Sequence, residues 1–569
     1  MTRKLLASVA VTVTMAAAIP AATEAKEHPV TVHGAVQADI LFPEEDATIG
    51  TEKYDSKILG NGYASAGLYS KYVDAGLRLE YMQYPLPGFE RDFKGWGLGN
   101  IYAKGKFKGV ELTLGDFYDQ FGSGFILRTY EERSLGIDNS LRGGRIKVDA
   151  LPGVHFTALA GLQRRYWDWS DKSQVYGADI ALALQQWIRP LADHNIIWTL
   201  GGSWVLRNQA DETIQVVNEI PVTEGQPAPE PPYTVSKLGL PEQVNAFDVR
   251  THFNKGGLDL LGEFAWKDRD PSLDNNYTYS RGTAVMLSGS YSRPGWSAQL
   301  QVKRSENMAF RSQRSMQGVS AFINNMPAFA YQHTYALAAM YPYATQAAPG
   351  EWALQGAFAY SFKRRTAMGG RYGTKFRLNV SYIRGIDREG TWKSGNTDLY
   401  GTDGQKTRFF GWGPLYYSDL NLQMDKRITK QFSLNAMYMY QRYNQSVIEG
   451  HGGMVNAHIG VAEMKYKFDS RFTLRGELQY LGTKQDKGDW VYGLLELSVL
   501  PYVMVTVSDQ WNTGTTDTHY YMFSVTGNYK ANRLMIGYGR TRAGYNCSGG
   551  VCRYVPASRG FQISYNYNF

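Results

Sequence analysis

Nine histidines and two cysteines are the residues with the greatest capacity for chemistry in this 569-residue chain. A histidine beside a carboxylate can serve as general base to a hydroxyl or water nucleophile. His252 follows Asp248 and Arg250 at two-residue spacing, so in an extended strand the three share one face. His333 lies in "FINNMPAFAYQHTYALAAMYPYATQ", which carries no formal charge from Phe322 to Gln346. His28 precedes the first strand, His33 lies on it, His451 falls in a loop and His458 at a strand start. None belongs to a nucleophile or metal motif such as G-x-S-x-G or H-E-x-x-H. A histidine in a strand or loop without such a setting is a hydrogen-bonding filler. The expectation is therefore a chain that is not an enzyme, with no catalytic residue, no cofactor and no metal site.

Cys547 and Cys552 in "YNCSGGVC" form one close pair. In an exported chain that pattern points to a disulfide pinning a loop. Two thiols without further ligands nearby are too few for a metal site. Export itself is suggested by residues 1–25. Arg3 and Lys4 are followed by an apolar run from Leu5 to Ala22, and Thr23-Glu24-Ala25 offers a cleavage site. The expected organisation is a signal peptide, 1–25, and a single domain, 26–569. The net charge of +8 is mild for this length and does not argue for nucleic acid, which needs a clustered basic stripe.

The elements that would position these residues are strands. Past residue 25 no apolar run reaches the roughly 20 residues of a membrane helix. Two-residue alternation recurs instead. "RFTLRGELQYL" sets Phe472, Leu474, Leu478 and Tyr480 against Arg471, Thr473, Arg475, Glu477 and Gln479. "YVMVTVSDQW" sets Val503, Val505 and Val507 against Met504, Thr506 and Ser508, and "FSLNAMYMY" alternates in the same way. The chain closes on "GFQISYNYNF", with Phe561, Ile563, Tyr565, Tyr567 and Phe569 on one face. Each segment is about ten residues long, enough for a tilted strand to cross a bilayer.

Tight turns alternate with long connections. The turns are "VDAG" at 73–76, "FKGV" at 107–110, "LPGV" at 151–154, "NKGG" at 254–257, "RPGW" at 293–296, "KRITKQ" at 426–431, "FDSR" at 468–471 and "LPY" at 500–502. The long connections are 43–60, 87–97, 120–141, 208–242, 268–281, 305–350, 384–415, 443–457 and 543–558. Backbone groups in lipid must all be paired, so a spanning chain without helices has to close into a barrel. The rhythm predicts an all-β, transmembrane, up-and-down antiparallel β-barrel of about 24 strands (22 to 26), with short periplasmic turns and long extracellular loops. The uncertainty in the count comes from His333–Tyr341 and Thr407–Trp412, either of which could be an extra strand.

In such a barrel the polar faces line the lumen. The candidates are Arg78, Glu80, Lys104, Lys106, Glu111, Asp248, Arg250, His252, Glu263, Glu463, Lys465, Arg475 and Glu477. Wall side chains alone cannot fill so wide a barrel, so the interior holds water, an inward-folded loop, or both. Segment 116–142, with Arg128, Glu131, Glu132, Arg133 and Asp138, is a candidate plug or constriction. So is segment 305–350, with His333: an uncharged outer segment must be covered by something. The Pro-rich segment 218–241 is expected to be an extended surface loop. Tyr565, Tyr567 and Phe569 resemble the C-terminal signal by which outer-membrane barrels reach their assembly machinery.

At "GSGFILRTYEERSLGIDNSLRGGRI" and "YQHTYALAAMYPYATQ" the chain resembles a group of Bacteroidetes-type outer-membrane β-barrels of uncharacterised function. The resemblance covers most of the chain. It implies a barrel in the outer membrane of a Gram-negative bacterium and transfers no functional residue. The chain does not resemble TonB-dependent receptors: no plug-domain sequence precedes the first strand at Val30. Two functions are expected from these features. One is a porin-like channel or transporter for hydrophilic solutes. The other is a structural subunit that holds a surface lipoprotein or secretion component. The expected partners are the lipid bilayer, the barrel-assembly machinery during biogenesis, and such an envelope protein.

Overall fold

The computed structural model describes residues 30–210, 212–219, 230, 233–316, 318, 320–389, 399–404, 406–548 and 551–569. The signal-peptide segment 1–25 and His28 lie outside the described residues. The rest forms one 24-stranded antiparallel sheet with four small two-stranded hairpins. The sheet closes on itself. The first strand, Thr31–Pro43, pairs on one edge with Leu59–Tyr69 and on the other with the last strand, Ser558–Asn568. Closure leaves no sheet edge along the wall.

The two-residue period fixes what each face meets. Outward side chains are large and apolar: Leu114 is 56% exposed, Leu287 61% and Leu495 60%. They recur around the whole wall, with Leu77, Leu300, Leu478 and Phe523 among them. A continuous exposed apolar belt on a closed barrel is compatible with lipid and not with water, so the barrel spans a membrane. No helix among the described residues is long and apolar enough to cross one.

Short connections such as 108–109, 152–153, 256–257 and 294–295 gather at one end, and both chain ends of the wall lie there. The long connections gather at the other. Several expectations need correction. "VDAG" is not a turn: the turn is residues 70–72, and Val73 opens the strand Val73–Tyr84. Thr407–Trp412 adds no strand, because it is the start of the long strand Thr407–Arg427. His333–Tyr341 forms no strand. The described ends of 218–241 are extended and paired, Gln215–Glu219 with Tyr233–Lys237 as a hairpin, and most of the Pro-rich stretch between them lies outside the described residues. Cys547 faces Cys552 in the hairpin of Gly544–Ser548 with Val551–Val555, where they form a disulfide.

Ser564 donates to Asp39 on the inner face at 2.6 Å. The alternation then sends Tyr565, Tyr567 and Phe569 outward, with the Tyr567 and Phe569 rings stacked 5.5 Å apart. The Phe569 carbonyl accepts the Gly34 amide at 3.0 Å, completing the seam.

Candidate functional site: a lumen closed by two loops

The inward face changes character along each strand. In Met454–Lys467, which runs from the long-loop end to the short-turn end, Val455, Ala457, Ile459 and Val461 are buried. Glu463 and Lys465 continue the same inward face. Phe432–Asn444 runs the opposite way, from Ser433 and Asn435 to buried Met437, Met439 and Tyr443. The short-turn half of the inner face is polar. The long-loop half mixes buried apolar side chains with buried polar anchors such as Arg78, Arg164, Lys303 and Gln479, and this corrects the expectation that the whole inner face is polar. Two loops cover the long-loop half.

The first is 118–140, between Val110–Phe117 and Leu141–Leu151. It carries two tiny hairpins, pairing Gln120–Phe121 with Leu127–Arg128 and Glu131–Glu132 with Ile137–Asp138. Charge holds its base. Arg78 reaches Glu80 and Asp138, both at 2.6 Å, and Glu131 at 2.9 Å. Arg164 bridges Asp138 at 2.6 Å and Glu80 at 2.8 Å. Arg133 pairs with Glu131 at 2.7 Å and reaches Gln37 on the first strand at 3.1 Å. Glu132 caps the turn below it, accepting the Ser134 amide. Burial by itself would raise the Asp138 carboxyl, but Arg164 and Arg78 outweigh it and hold the group below its ordinary value. Gly122 and Gly124 take left-handed backbone at the tip. There the Ser123 amide donates to both Glu263 oxygens, at 2.9 and 3.1 Å. A Cβ on Gly122 would stand 2.6 Å from Glu263.

The second loop, 307–350, crosses the rest of the lumen. Lys303 and Glu351, on the strands that flank it, are ion-paired at 2.8 Å with both side chains fully buried. Lys303 also donates to Pro327 O and Thr345, and Glu351 accepts Tyr343 and the Gln346 amide. His333 meets Asp419 at 2.7 Å on Thr407–Arg427, two strands beyond the one that carries Glu351. Further on, the Leu337 amide donates to Gln479 at 2.8 Å, and Gln441 donates to Tyr341 O at 3.0 Å. Burial first, then Asp486, pushes the Tyr341 phenol far up, so it remains a neutral donor to Asp486 at 2.9 Å.

The loops lock to each other. Arg128 N donates to Ile323 O at 2.8 Å, and the Asn324 amide group bridges Phe125 O and Met308 O at 2.8 and 2.6 Å. Phe121, Phe125, Ile126 and Leu127 of the first loop, and Phe310, Ile323, Leu337 and Met340 of the second, form one buried core with the wall residues Val175, Val205, Val244 and Met439. A third buried group closes the edge: Asp270 takes Arg207 at 2.8 Å and Lys267 at 2.9 Å. Burial alone would raise the Asp270 carboxyl, but Arg207 and Lys267 hold it down.

The remaining lumen candidates sit in the polar half. Lys106 pairs with Asp74 at 2.5 Å, Lys104 with Glu111 at 3.8 Å, and Arg475 with Glu477 at 3.0 Å and Glu463 at 3.3 Å. Arg250 pairs with Asp179 and Asp248. His252 is not joined to that group as its spacing suggests: it meets Asp259 on the neighbouring strand at 2.7 Å. The hydroxyl on the Asp419 carboxylate that holds His333 is Tyr417's, at 3.3 Å. Among the described residues no three His, Cys, Asp or Glu side chains cluster as metal ligands do.

Sequence reasoning missed the apolar wall residues and the anchors Arg164, Arg207, Lys267, Lys303 and Glu351. A usable signal was there. In "MVNAHIGV" the apolar residues alternate out of phase with lipid-facing Met464 and Tyr466 on the same strand.

This fold and interior define a membrane-spanning β-barrel whose lumen is occluded by its own loops. The chain belongs to a family of unknown function, DUF6029, whose model matches residues 1–569. No curated protein matches it. Among solved structures it is similar to the translocation pore of a P pilus usher, PapC (TM-score 0.39, 9% identity, covering 95% of this chain and 99% of that one). It is also similar to the siderophore receptor PirA of Pseudomonas aeruginosa (0.40, 8%, 95% and 80%) and to OccK5 (OpdH) of the same organism (0.32, 10%, 96% and 100%). Likeness at that level says nothing about what this chain passes or binds.

Proposed function

We propose that this protein is an outer-membrane barrel of a Gram-negative envelope that works as a closed scaffold subunit, holding another envelope component. One observation carries this reading: two loops span the lumen between opposite walls on a shared apolar core, fastened by buried ion pairs. Buried pairs and a close-packed core are costly to open. A diffusion pore needs the reverse, a wide and wet constriction. With diffusion closed, what the protein offers its surroundings is a rigid long-loop surface above the plug. A surface lipoprotein or secretion component is the partner class that fits it.

A second reading is favoured by the mixed-charge inner face of the short-turn half. There the protein is a gated transporter for hydrophilic solutes, and loop 307–350 is the gate. The test is affinity purification after gentle solubilisation. A stoichiometric envelope partner, lost when 307–350 is shortened, supports the scaffold. Recovery of the barrel alone, together with solute-triggered conductance, supports the transporter.

A further inference from the structure

Five inward cations of the wall follow one rule, each finding a carboxylate: Lys104, Lys106, Arg145, Arg250 and Arg475. The short-turn mouth below the strands Glu351–Phe362, Thr374–Arg388 and Thr407–Arg427 breaks this rule. "FKRRTAMGGRYGTK" joins the first two strands, and "DKRITK" follows the third. They bring together Lys363, Arg364, Arg365, Arg371, Lys375, Lys426, Arg427 and Lys430. Among the described residues none of these cations has a carboxylate partner. The one acid between them, Asp425, is taken by Arg377 at 2.8 Å.

The cluster is built and not merely crowded. The turn folds back on itself through Arg365 N to Gly370 O at 2.6 Å, Gly370 N to Thr366 O at 2.8 Å, and the Thr374 hydroxyl to Met368 O at 2.8 Å. The Tyr372 ring carries two guanidiniums, Arg371 at 5.6 Å and Arg427 at 5.4 Å from its centroid. Arg427 is further fixed by donating to Thr429 O and Lys430 O. Together these parts border an open cleft of about 500 Å³ lined by Lys363, Arg364, Lys375, Lys426, Arg427 and Asn435. It sits at the rim of the short-turn mouth, where Arg427 is in phase with inward Asp419 and Asn421 and Lys426 with outward Leu420 and Leu422. Lys375 is in phase with inward Arg377 and Asn379, whereas Leu378 and Val380 point outward.

We propose that this mouth pocket binds a small molecule bearing phosphate-type groups, entering from the short-turn side. Like charges held together without counter-charges raise the local potential and favour a multiply charged anion. Forked guanidiniums, ammonium groups and a side-chain amide are the donors that phosphate oxygens take. The volume suits a small ligand and not a folded chain. A free diphosphate and the headgroup of an anionic lipid share this chemistry.

The test is calorimetric titration of the full-length protein, in zwitterionic detergent at low salt, with inorganic pyrophosphate. Saturable one-site binding is expected. It should weaken by roughly tenfold or more in Arg364→Gln/Lys375→Gln and in Arg427→Gln, because each lost charge-assisted bond is a strong one. Lys530→Gln, on a distant short turn, should bind as the parent does. Heat-modifiable mobility on gels checks that each variant is a folded barrel. A second arm repeats the titration in nanodiscs. Competition by phosphatidylglycerol assigns the site to a lipid headgroup, and unchanged binding assigns it to a free ligand. The proposal is overturned by absent or non-saturable binding, by equal weakening in Lys530→Gln, or by a hexaglutamate peptide that outbinds pyrophosphate.

Discussion

Replacing Glu351 with alanine should unlatch the larger loop. Glu351 does three things at once: it neutralises Lys303, accepts the Tyr343 hydroxyl and accepts the Gln346 amide. Neither side chain of the pair is exposed. Removing one member of a buried pair costs about 3–5 kcal/mol, most of it from the charge left behind. At about 1.4 kcal/mol per factor of ten, the opening equilibrium of the loop rises roughly 10²- to 10⁴-fold. Hydrogen exchange in nanodiscs reads this directly. Amides of 327–346 should lose protection by that factor, while amides of the strand Trp296–Glu306 keep theirs. The double variant Lys303→Met/Glu351→Leu should recover most of the protection, because an apolar pair of similar size carries no orphaned charge. Unchanged exchange in Glu351→Ala, or a double variant no better than the single, would refute the idea that this pair holds the loop.

Three further outcomes follow from the same geometry. Leu337→Ala removes a fully buried contact of the second loop; it should weaken docking by about 2–5 kcal/mol and expose the 330s to protease while the barrel stays intact. The Asp138 and Asp270 carboxyls are both held below their ordinary value. Their contribution is therefore complete above the unfolded carboxylate pKa of about 3.9 and is lost as pH falls through the lower folded values. Conductance should stay silent at about pH 5 and rise only below about pH 4; opening near pH 6 would contradict control by these carboxylates. Deleting Phe569 removes the carbonyl that accepts the Gly34 amide and the ring stacked on Tyr567. It should lower the yield of heat-modifiable barrel in membranes, measured against the full chain.

The barrel was legible because its two constraints are local. Strand period and turn chemistry are written residue by residue, as in the alternation from Phe561 to Phe569. The strand count came out right because long and short connections cannot exchange ends. Misplacing "VDAG" had a physical cause: Asp74 and Gly76 are turn formers, yet the wall needs Asp74 as the inward partner of Lys106. The plug was legible only as a question. The lack of charge from Phe322 to Gln346 showed that the segment needs cover, and Arg78, Glu131 and Asp138 were all candidates. What covers it is non-local. Within one short segment, alternation cannot tell a valine facing lipid from one facing a loop, so Val455 and Ile459 read as inward only when their phase is compared with Met464 and Tyr466 further along the strand. Lys303 and Glu351 sit 48 residues apart across the loop they fasten, and nothing in either local sequence names the other. His252 was assigned to the wrong acid for the same reason: its partner Asp259 lies on the next strand.

The most direct test of a closed lumen is the conductance of the purified barrel in a planar bilayer, taken with a variant in which 310–346 is replaced by a short flexible linker. The account predicts silence from the full chain and steady large currents from the variant. Steady large currents from the full chain at neutral pH would contradict it.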